Sequence, residues 1–391
     1  MTDALRAPGG FPVVGIIGGG QLARMCQPPA VALSLTLSVL SESPDAAAAL
    51  VVPSAPVGQK DDVEAIRAFA SGCDVVTFDH ELVPLDVLAA LEADGVKMHP
   101  SPKALVHAQD KLVMRRRLTQ LGIPCPAWAQ VSDVAELKAF ADVHGLPVIL
   151  KTPRGGYDGR GVRVIHDPRD AADWFAHREP LLAEEAVDFT RELAVMVARS
   201  PSGQGAVWPV VHTVQTDGIC TEVIAPAPDL DGDLQGAVTQ AALRIAGELD
   251  VTGVMAVELF EVQDRASGRP TFVVNELAMR PHNSGHWTID GSVTSQFEQH
   301  LRAVLDLPLG EVTARAPWTV MTNVLGGDYL ELYPAYRHIL ARDPGLKVHL
   351  YGKGVRPGRK IGHVTVCGGD LDALRARGAH AADYLQGTVK E

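Results

Sequence analysis

Few residues constrain a fold as sharply as an ionised carboxylate in the middle of an apolar β-strand, and this chain has two. Glu258 stands in the run VMAVELF and Glu276 in VVNEL. A carboxylate buried without a partner costs several kcal/mol or gives up its charge. The two runs are joined by a connection containing Gly268, which predicts a hairpin. Neighbouring strands that each carry an acid call for a shared cation. Magnesium fits, since it takes one or two carboxylates and completes its shell with phosphate oxygens and water. The competing reading is that each glutamate faces solvent at a sheet edge. Asn275 directly before Glu276 makes that the weaker option.

Other segments carry matching chemistry. Lys151 ends the apolar run LPVILK and leads into Gly155, Gly156, Gly159 and Gly161 in KTPRGGYDGRG. A glycine loop can fold over a polyphosphate and offer backbone N–H groups, while the lysine neutralises charge. It is not a Walker A loop, and the bland alternative is an exposed hairpin turn. After Glu276 comes AMRPHNSGHW, which gathers Arg280, His282, Asn283, Ser284 and His286. With no cysteine nearby, zinc is a poor fit. A pocket for an anionic, hydroxyl-rich substrate is the better reading, and a satisfied capping loop the alternative. In the tail, YGKGVRPGRK concentrates Lys353, Arg356, Arg359 and Lys360, which suits an anion receptor. Alone it would be a solvated turn.

Near the start, FPVVGII runs into Gly18, Gly19 and Gly20 and then QLARM, a strand, glycine turn and helix start. Gly18-x-Gly20-x-x-Ala23, with Glu42 after the next apolar run, admits a dinucleotide-binding reading, with a structural turn about as good. Pro28 and Pro29 predict a first helix that is short or kinked. Strands alternating with helices through CDVVTFDHE imply a parallel, doubly wound sheet. Helical spacing over Lys103 to Leu121 follows the His99-Pro100-Ser101-Pro102 connection. Beyond Arg315 to Pro317, the runs VTVMTNVLGG, KVHLYGK and GHVTV predict a small β-rich tail.

At 391 residues the chain is long enough for about two to three domains. A formal charge of −12 gives the wrong electrostatic sign for nonspecific binding to nucleic acid or an anionic membrane. Five dispersed cysteines without a C-x-x-C pair exclude a disulfide framework and suit a reducing compartment. With no signal-peptide pattern and no run long enough to span a bilayer, a soluble cytoplasmic protein is expected.

Taken in order, GIIGGGQLARM, TFDHE, AQDK, KTPRGGYDGRGV, LLAEEAVDFTRELAV, VTGVMAVELF, VNELAMRPHNSGHWTIDGSVTSQFEQHLRAVL and YGK..R.GRK.GHV span nearly the whole chain. In these motifs the sequence resembles the ATP-grasp superfamily and, within it, the 5-(carboxyamino)imidazole ribonucleotide synthetase family. It departs from the family mainly between Cys26 and Gln59. The resemblance implies mixed α/β and α+β architecture: a doubly wound pre-ATP-grasp domain (1–105), a two-part ATP-grasp domain (106–312) and a small β-rich C-terminal domain (313–391). It implies a homodimer. It also implies a reaction of purine biosynthesis, in which bicarbonate attacks the γ-phosphate of ATP. The resulting carboxyphosphate collapses to carbon dioxide, which the exocyclic amine of 5-aminoimidazole ribonucleotide captures.

On that resemblance Glu258 and Glu276 hold Mg²⁺, two ions in all, with Asn275 beside them. Lys111 and Lys151 neutralise phosphates, and Gly155, Gly156, Tyr157, Asp158, Gly159, Arg160 and Gly161 form a lid. Backbone groups of Glu184, Glu185, Ala186 and Val187 read adenine, Glu192 holds the ribose hydroxyls, and Gln215 lies near the nucleotide. The ribonucleotide falls to Gln21, Glu81, Tyr157, Arg160, Arg280, His282, Asn283, Ser284 and Lys353, with Arg359 and Lys360 on its phosphate side. Arg280, Lys353 and Asp158 are the candidates for catalysis. The competing readings are another ATP-grasp carboxylase or ligase, such as a biotin carboxylase or a formate-dependent glycinamide ribonucleotide transformylase, a nicotinamide-dependent oxidoreductase, and a noncatalytic nucleotide sensor.

Overall fold

A computed structural model describes residues 6–156, 161–176, 179–264 and 266–389. The N-terminal unit alternates strand and helix: β1 (Val13–Ile17), α1 (Gln21–Ala32), β2 (Thr36–Leu40), α2 (Val63–Ala70), β3 (Val75–Phe78) and α3 (Leu85–Ala93). Its strands form a parallel sheet in the order β2-β1-β3. Because side chains alternate across a strand, Val14 and Ile16 of β1 pack on one face with α1, and Ile17 joins the other face's core. Two helices follow, α4 (Pro102–Gln109) and α5 (Lys111–Gln120).

The sequence reading needs two corrections here. α1 is not shortened by its prolines; it runs through Pro28 and Pro29 to Ala32. Each proline removes one donor, but Leu33 N–H closes the end on Pro29 O, and Leu22, Ala23, Cys26 and Ala30 are buried beneath the helix. The single helical stretch over Lys103 to Leu121 is two helices. Asp110, at φ −128°, is extended, and its side chain accepts from Leu112 and Val113 N–H, capping α5.

The middle of the chain begins with β4 (Trp128–Val131), α6 (Val134–His144), β5 (Val148–Lys151), β6 (Val162–Ile165), α7 (Ala172–Phe175) and β7 (Leu181–Glu185). These strands form an antiparallel sheet ordered β4-β7-β5-β6. Then come β8 (Arg191–Arg199), β9 (Gly205–Val207), β10 (Val211–Thr216), β11 (Ile219–Ala225), α8 (Gly232–Glu248), β12 (Gly253–Gln263), β13 (Pro270–Ala278), α9 (Thr288–Gly291) and α10 (Gln296–Val304). α10 opens on an N-cap, with Ser295 Oγ accepting from Glu298 N–H, and its apolar face packs against α1.

The tail supplies β14 (Trp318–Leu325), α11 (Tyr333–Arg342), β15 (Lys347–Leu350), β16 (Lys360–Gly368) and α12 (Leu371–Gln386). The expected tail strands are present, but they do not form a sheet of their own. They extend the large sheet, whose order is β13-β12-β8-β10-β11-β14-β16-β15 with β9 paired to β8. α11 and α12 cover one side of that extension. Side-chain bonds from Lys151 to Asn275 and from Arg280 to Glu81 tie the two sheets of the middle region to each other and to the loop after β3.

Candidate active site

β12 and β13 form the expected antiparallel hairpin, and its register sets Glu258 directly opposite Glu276. Directly paired residues put their side chains on the same face about 5 Å apart, so the two acids form one donor group. β13 is indeed an edge strand, as the competing reading supposed, but both carboxylates point to basic partners. Lys111 Nζ lies 2.8 Å from Glu276 Oε1, and His282 Nε2 lies 2.8 Å from Glu258 Oε1. Burial pushes the Glu258 carboxyl up, but His282, Lys360 and Arg280 together hold the group below the usual carboxylate range. Ser284 N–H donates to His282 Nδ1, which leaves the Nε2 proton facing Glu258.

On the nucleotide side, Lys151 at the end of β5 donates to Glu184 Oε2 at 2.7 Å and to Asn275 Oδ1 at 3.1 Å. Lys111 opens α5, and its backbone N–H donates to Pro153 O, fixing the helix start to the glycine loop. Arg154 Nε donates to Asp110 Oδ2 at 2.9 Å. The loop base is closed by Thr152 N–H on Gly161 O, and Gly161 is at φ +71°, where an added Cβ would meet Thr152 Oγ1 at 2.5 Å. Gly155 and Gly156 enter the loop, while Tyr157, Asp158, Gly159 and Arg160 lie outside the described residues.

The adenine segment is constrained by β7. Glu185 N–H is taken by Ala127 O, so Ala186 and Val187 are the part that continues beyond the sheet. The Glu184 side chain is buried and bound to Lys151 and Arg115. Glu192 on β8 bonds Gln215 on β10, and burial, then the Glu258 charge, pushes its carboxyl up to about 7.

A second group lies where β1 and β3 end. Arg280 Nε donates to Glu81 Oε2 at 2.8 Å, while the buried Glu81 Oε1 has no partner among the described residues. Lys353 Nζ donates to Gln21 Oε1 and sits 5.8 Å from the Tyr351 ring centre. The charge of Glu258 is felt by Arg280, and Lys360 lies close enough to lower the Glu258 carboxyl. Asn283 lies half-buried beside Cys220, and Ser284 Oγ bonds His282 Nδ1. Arg359 is not drawn in: it is exposed, and its guanidinium donates to Gly354 O in its own turn.

The N-terminal glycine turn serves the protein's own acids. Gly19 N–H donates to Glu42 Oε2 and Ala23 N–H to Asp79 Oδ1. A Cβ on Gly20 would meet Asp79 Oδ2 at 2.0 Å, so this glycine makes room for Asp79. Glu42 is thereby held against the turn, with His80 as the main cause lowering its carboxyl to about 2. Sequence reasoning also missed Gln296. Its amide accepts from His282 N–H and donates to His282 O and His286 Nδ1, each at 2.8 Å, and so fixes the loop that carries His282. Among the described residues no three acidic, histidine or cysteine side chains form a self-sufficient metal cluster. Two carboxylates beside an amide are an all-oxygen set suited to an ion whose shell is completed by phosphate and water.

Known proteins are similar to this chain over most of its length. Models of the ribonucleotide synthetase preATP-grasp domain, the ATP-grasp domain and the phosphoribosylaminoimidazole carboxylase C-terminal domain match residues 12–109, 116–297 and 319–377. The N5-carboxyaminoimidazole ribonucleotide synthase of Mycobacterium tuberculosis (strain ATCC 25618 / H37Rv) is 54% identical over 381 residues, 96% of this chain and 88% of that one. That of Corynebacterium ammoniagenes is 47% identical, covering 96% and 92%. Among solved structures, the N5-carboxyaminoimidazole ribonucleotide synthetase from Thermus thermophilus superposes with a TM-score of 0.85 at 36% identity, covering 97% of this chain and 99% of that one. The Aspergillus clavatus N5-carboxyaminoimidazole synthase, in complex with ADP and 5-aminoimidazole ribonucleotide, gives 0.85 at 32%, covering 96% and 98%. The chain belongs to the N5-carboxyaminoimidazole ribonucleotide synthase family of ATP-grasp enzymes.

Proposed function

We propose that this chain is an ATP-dependent carbon–nitrogen ligase that carboxylates the exocyclic amine of 5-aminoimidazole ribonucleotide, with bicarbonate as the carbon source, in purine biosynthesis. The observation that carries the reading is the Glu258–Glu276 pair, flanked by Lys111 and Lys151 on one side and by Arg280, Glu81 and His282 on the other. That order of charges suits a polyphosphate lying beside a second, hydroxyl-rich substrate.

Phosphoryl transfer asks a protein for charge neutralisation and alignment more than covalent help. A bicarbonate oxygen bonds the γ-phosphorus, the bond to the ADP oxygen breaks, and carboxyphosphate results. It collapses to carbon dioxide and phosphate. The amine then forms the N–C bond, and its proton passes to the departing phosphate. Lys111 and Lys151 hold the ATP phosphates, Glu192 and Gln215 the ribose, and Ala186 and Val187 the adenine. Mg²⁺, for which Glu258, Glu276 and the neighbouring Asn275 supply oxygen donors, neutralises phosphate charge when bound. Arg280 stabilises the carboxyphosphate charge, the unpartnered Glu81 Oε1 is an oriented group for the ribonucleotide, and Asn283 lines the same pocket. Gln21, His282, Ser284, Lys353 and Lys360 complete that pocket, and the loop from Gly155 to Gly161 excludes water from carboxyphosphate. A domain division at 1–105, 106–312 and 313–391, a homodimeric assembly and a cytoplasmic site of action belong to the same reading. No helix among the described residues is long and apolar enough to cross a membrane.

The test is a turnover measurement with ATP, bicarbonate and 5-aminoimidazole ribonucleotide, omitting each in turn. ADP release that requires all three supports the reading, and release indifferent to bicarbonate refutes it.

A further inference from the structure

We propose that Arg115 is a positioning residue for the phosphate-binding groups, setting the gap between the two sheets of the ATP-grasp region. The inference rests on the reading of the cleft as an ATP site. Arg115 lies on α5 and is fully buried, at 0% exposure. Its guanidinium divides between the sheets. Nε donates to Glu184 Oε1 on β7 at 2.5 Å, Nη1 to Val274 O at 3.0 Å and Nη2 to Asn275 O at 2.7 Å on β13. The second oxygen of Glu184 holds Lys151, and Lys151 also bonds the Asn275 side chain. Arg115, Glu184, Lys151 and Asn275 thus form a closed ring between the nucleotide lysine and the residue next to Glu276. Lys111, which pairs Glu276, is one helical turn upstream on the same face of α5.

Cross-linking two sheets does not by itself require this. A buried ion pair is a poor stabiliser, and well-packed apolar residues serve as well or better. What only a guanidinium supplies is a planar fork with donors in fixed, divergent directions. Here those directions lead to one carboxylate and two carbonyls whose residues each continue to a phosphate- or metal-binding group. Both Glu184 oxygens are occupied, so its side chain positions Lys151 and leaves nucleotide contact to backbone. Burial pushes the Glu184 carboxyl up, but Arg115 and then Lys151 hold it below the usual range.

The experiment measures MgADP affinity by calorimetry, steady-state KM for each substrate, and melting temperature, for wild type, Arg115→Lys and Arg115→Met. Arg115→Lys keeps the charge and loses the fork. Without the fork, Lys151 and Asn275 lose their shared anchor, so MgADP affinity should fall about tenfold or more. KM for MgATP should rise in parallel, while KM for bicarbonate and the ribonucleotide stays within about twofold. Folded Arg115→Met should add a new ionisation to the acid limb of kcat/KM for MgATP, because Glu184 then has one cation instead of two. Unaltered MgADP affinity in folded Arg115→Lys overturns the proposal. So does an even loss for all substrates with a large fall in melting temperature, the signature of simple destabilisation. Should Arg115→Lys fail to fold, Glu184→Gln reads the ring from its other side, and unchanged MgADP affinity there overturns it equally. MgADP binding does not depend on the fate of bicarbonate. A wild-type enzyme that binds MgADP without needing bicarbonate for turnover refutes the proposed reaction and not this inference.

Discussion

Replacing Glu276 by glutamine should damage catalysis far more than stability, and the two magnitudes follow from its surroundings. Glu276 is 39% exposed on its side chain and pairs with Lys111 at 2.8 Å. Charges about 4 Å apart interact by about 4 kcal/mol at an effective dielectric of 20, but a pair this open to water realises about 0–1 kcal/mol. Glutamine keeps an oxygen for Lys111 and removes like-charge repulsion with Glu258 across the strand pair. The net change in stability should therefore stay within about 1 kcal/mol, or a few degrees in melting temperature. Turnover has no such compensation. Losing one group that stabilises charge in a transition state costs about 2.7–4 kcal/mol, which is 10²–10³ in kcat. The assay is bicarbonate-dependent ADP release at saturating substrates beside a thermal melt of the same sample. A folded Glu276→Gln enzyme within threefold of wild-type kcat would refute the reasoning, as would a loss of activity fully accounted for by unfolding.

Gln296→Leu leaves His282 N–H and His286 Nδ1 without the partner Gln296 gives them, while His282 O keeps the Gly285 N–H. At about 1–3 kcal/mol for each of these two groups, a melt should show at least about 2 kcal/mol of destabilisation, and KM for the ribonucleotide should rise. Glu192, pushed up to about 7, should make kcat/KM for MgATP fall as pH drops below about 7, and Glu192→Gln should flatten that limb in a pH–rate profile. Because the folded state binds that proton more tightly than the unfolded one, Glu192 also makes stability decline as pH rises from the ordinary carboxylate range towards 7, a slope that chemical denaturation of Glu192→Gln should lack. His300, fully buried, accepts from Val254 N–H and bonds Thr77 Oγ1, and burial lowers it to about 3. Its folded-state value lies below the unfolded one, so its contribution is complete above pH 6.5 and lost as pH falls towards 3. Denaturation between about pH 7 and 4 should show that acid loss, reduced in His300→Gln.

The paired glutamates were legible in the sequence because their context is improbable otherwise. A glutamate inside an apolar strand next to a second such strand has few physical explanations, and the β12–β13 register brings the two together. The strand-to-glycine transitions after Ile17 and Lys151 were readable for the same reason, since apolar runs and glycines mark boundaries locally. Features set by long-range packing were not. Propensity condemned α1 at Pro28 and Pro29, but burial against Phe297, Leu301 and Val304 carries the helix through. Nothing local says that β14 will add to β11 and so merge the tail with the larger sheet. Arg115 sits in the polar helix KLVMRRRLTQ beside Arg116 and Arg117 and looks like a solvated charge. Its one signal is spacing: Leu112, Arg115 and Leu118 share the inward row, and all are buried. For Asp79, a short polar end to a strand does not reveal that a glycine turn has been emptied of side chains to receive it.

The central claim is that this cleft drives attack of bicarbonate on the terminal phosphate of ATP. Turnover with ¹⁸O-labelled bicarbonate tests it most directly, because the oxygen that bonds phosphorus stays with phosphate when carboxyphosphate collapses. The account predicts one labelled oxygen in inorganic phosphate for each ADP released, in the presence of 5-aminoimidazole ribonucleotide. Unlabelled phosphate formed at the full rate would contradict it.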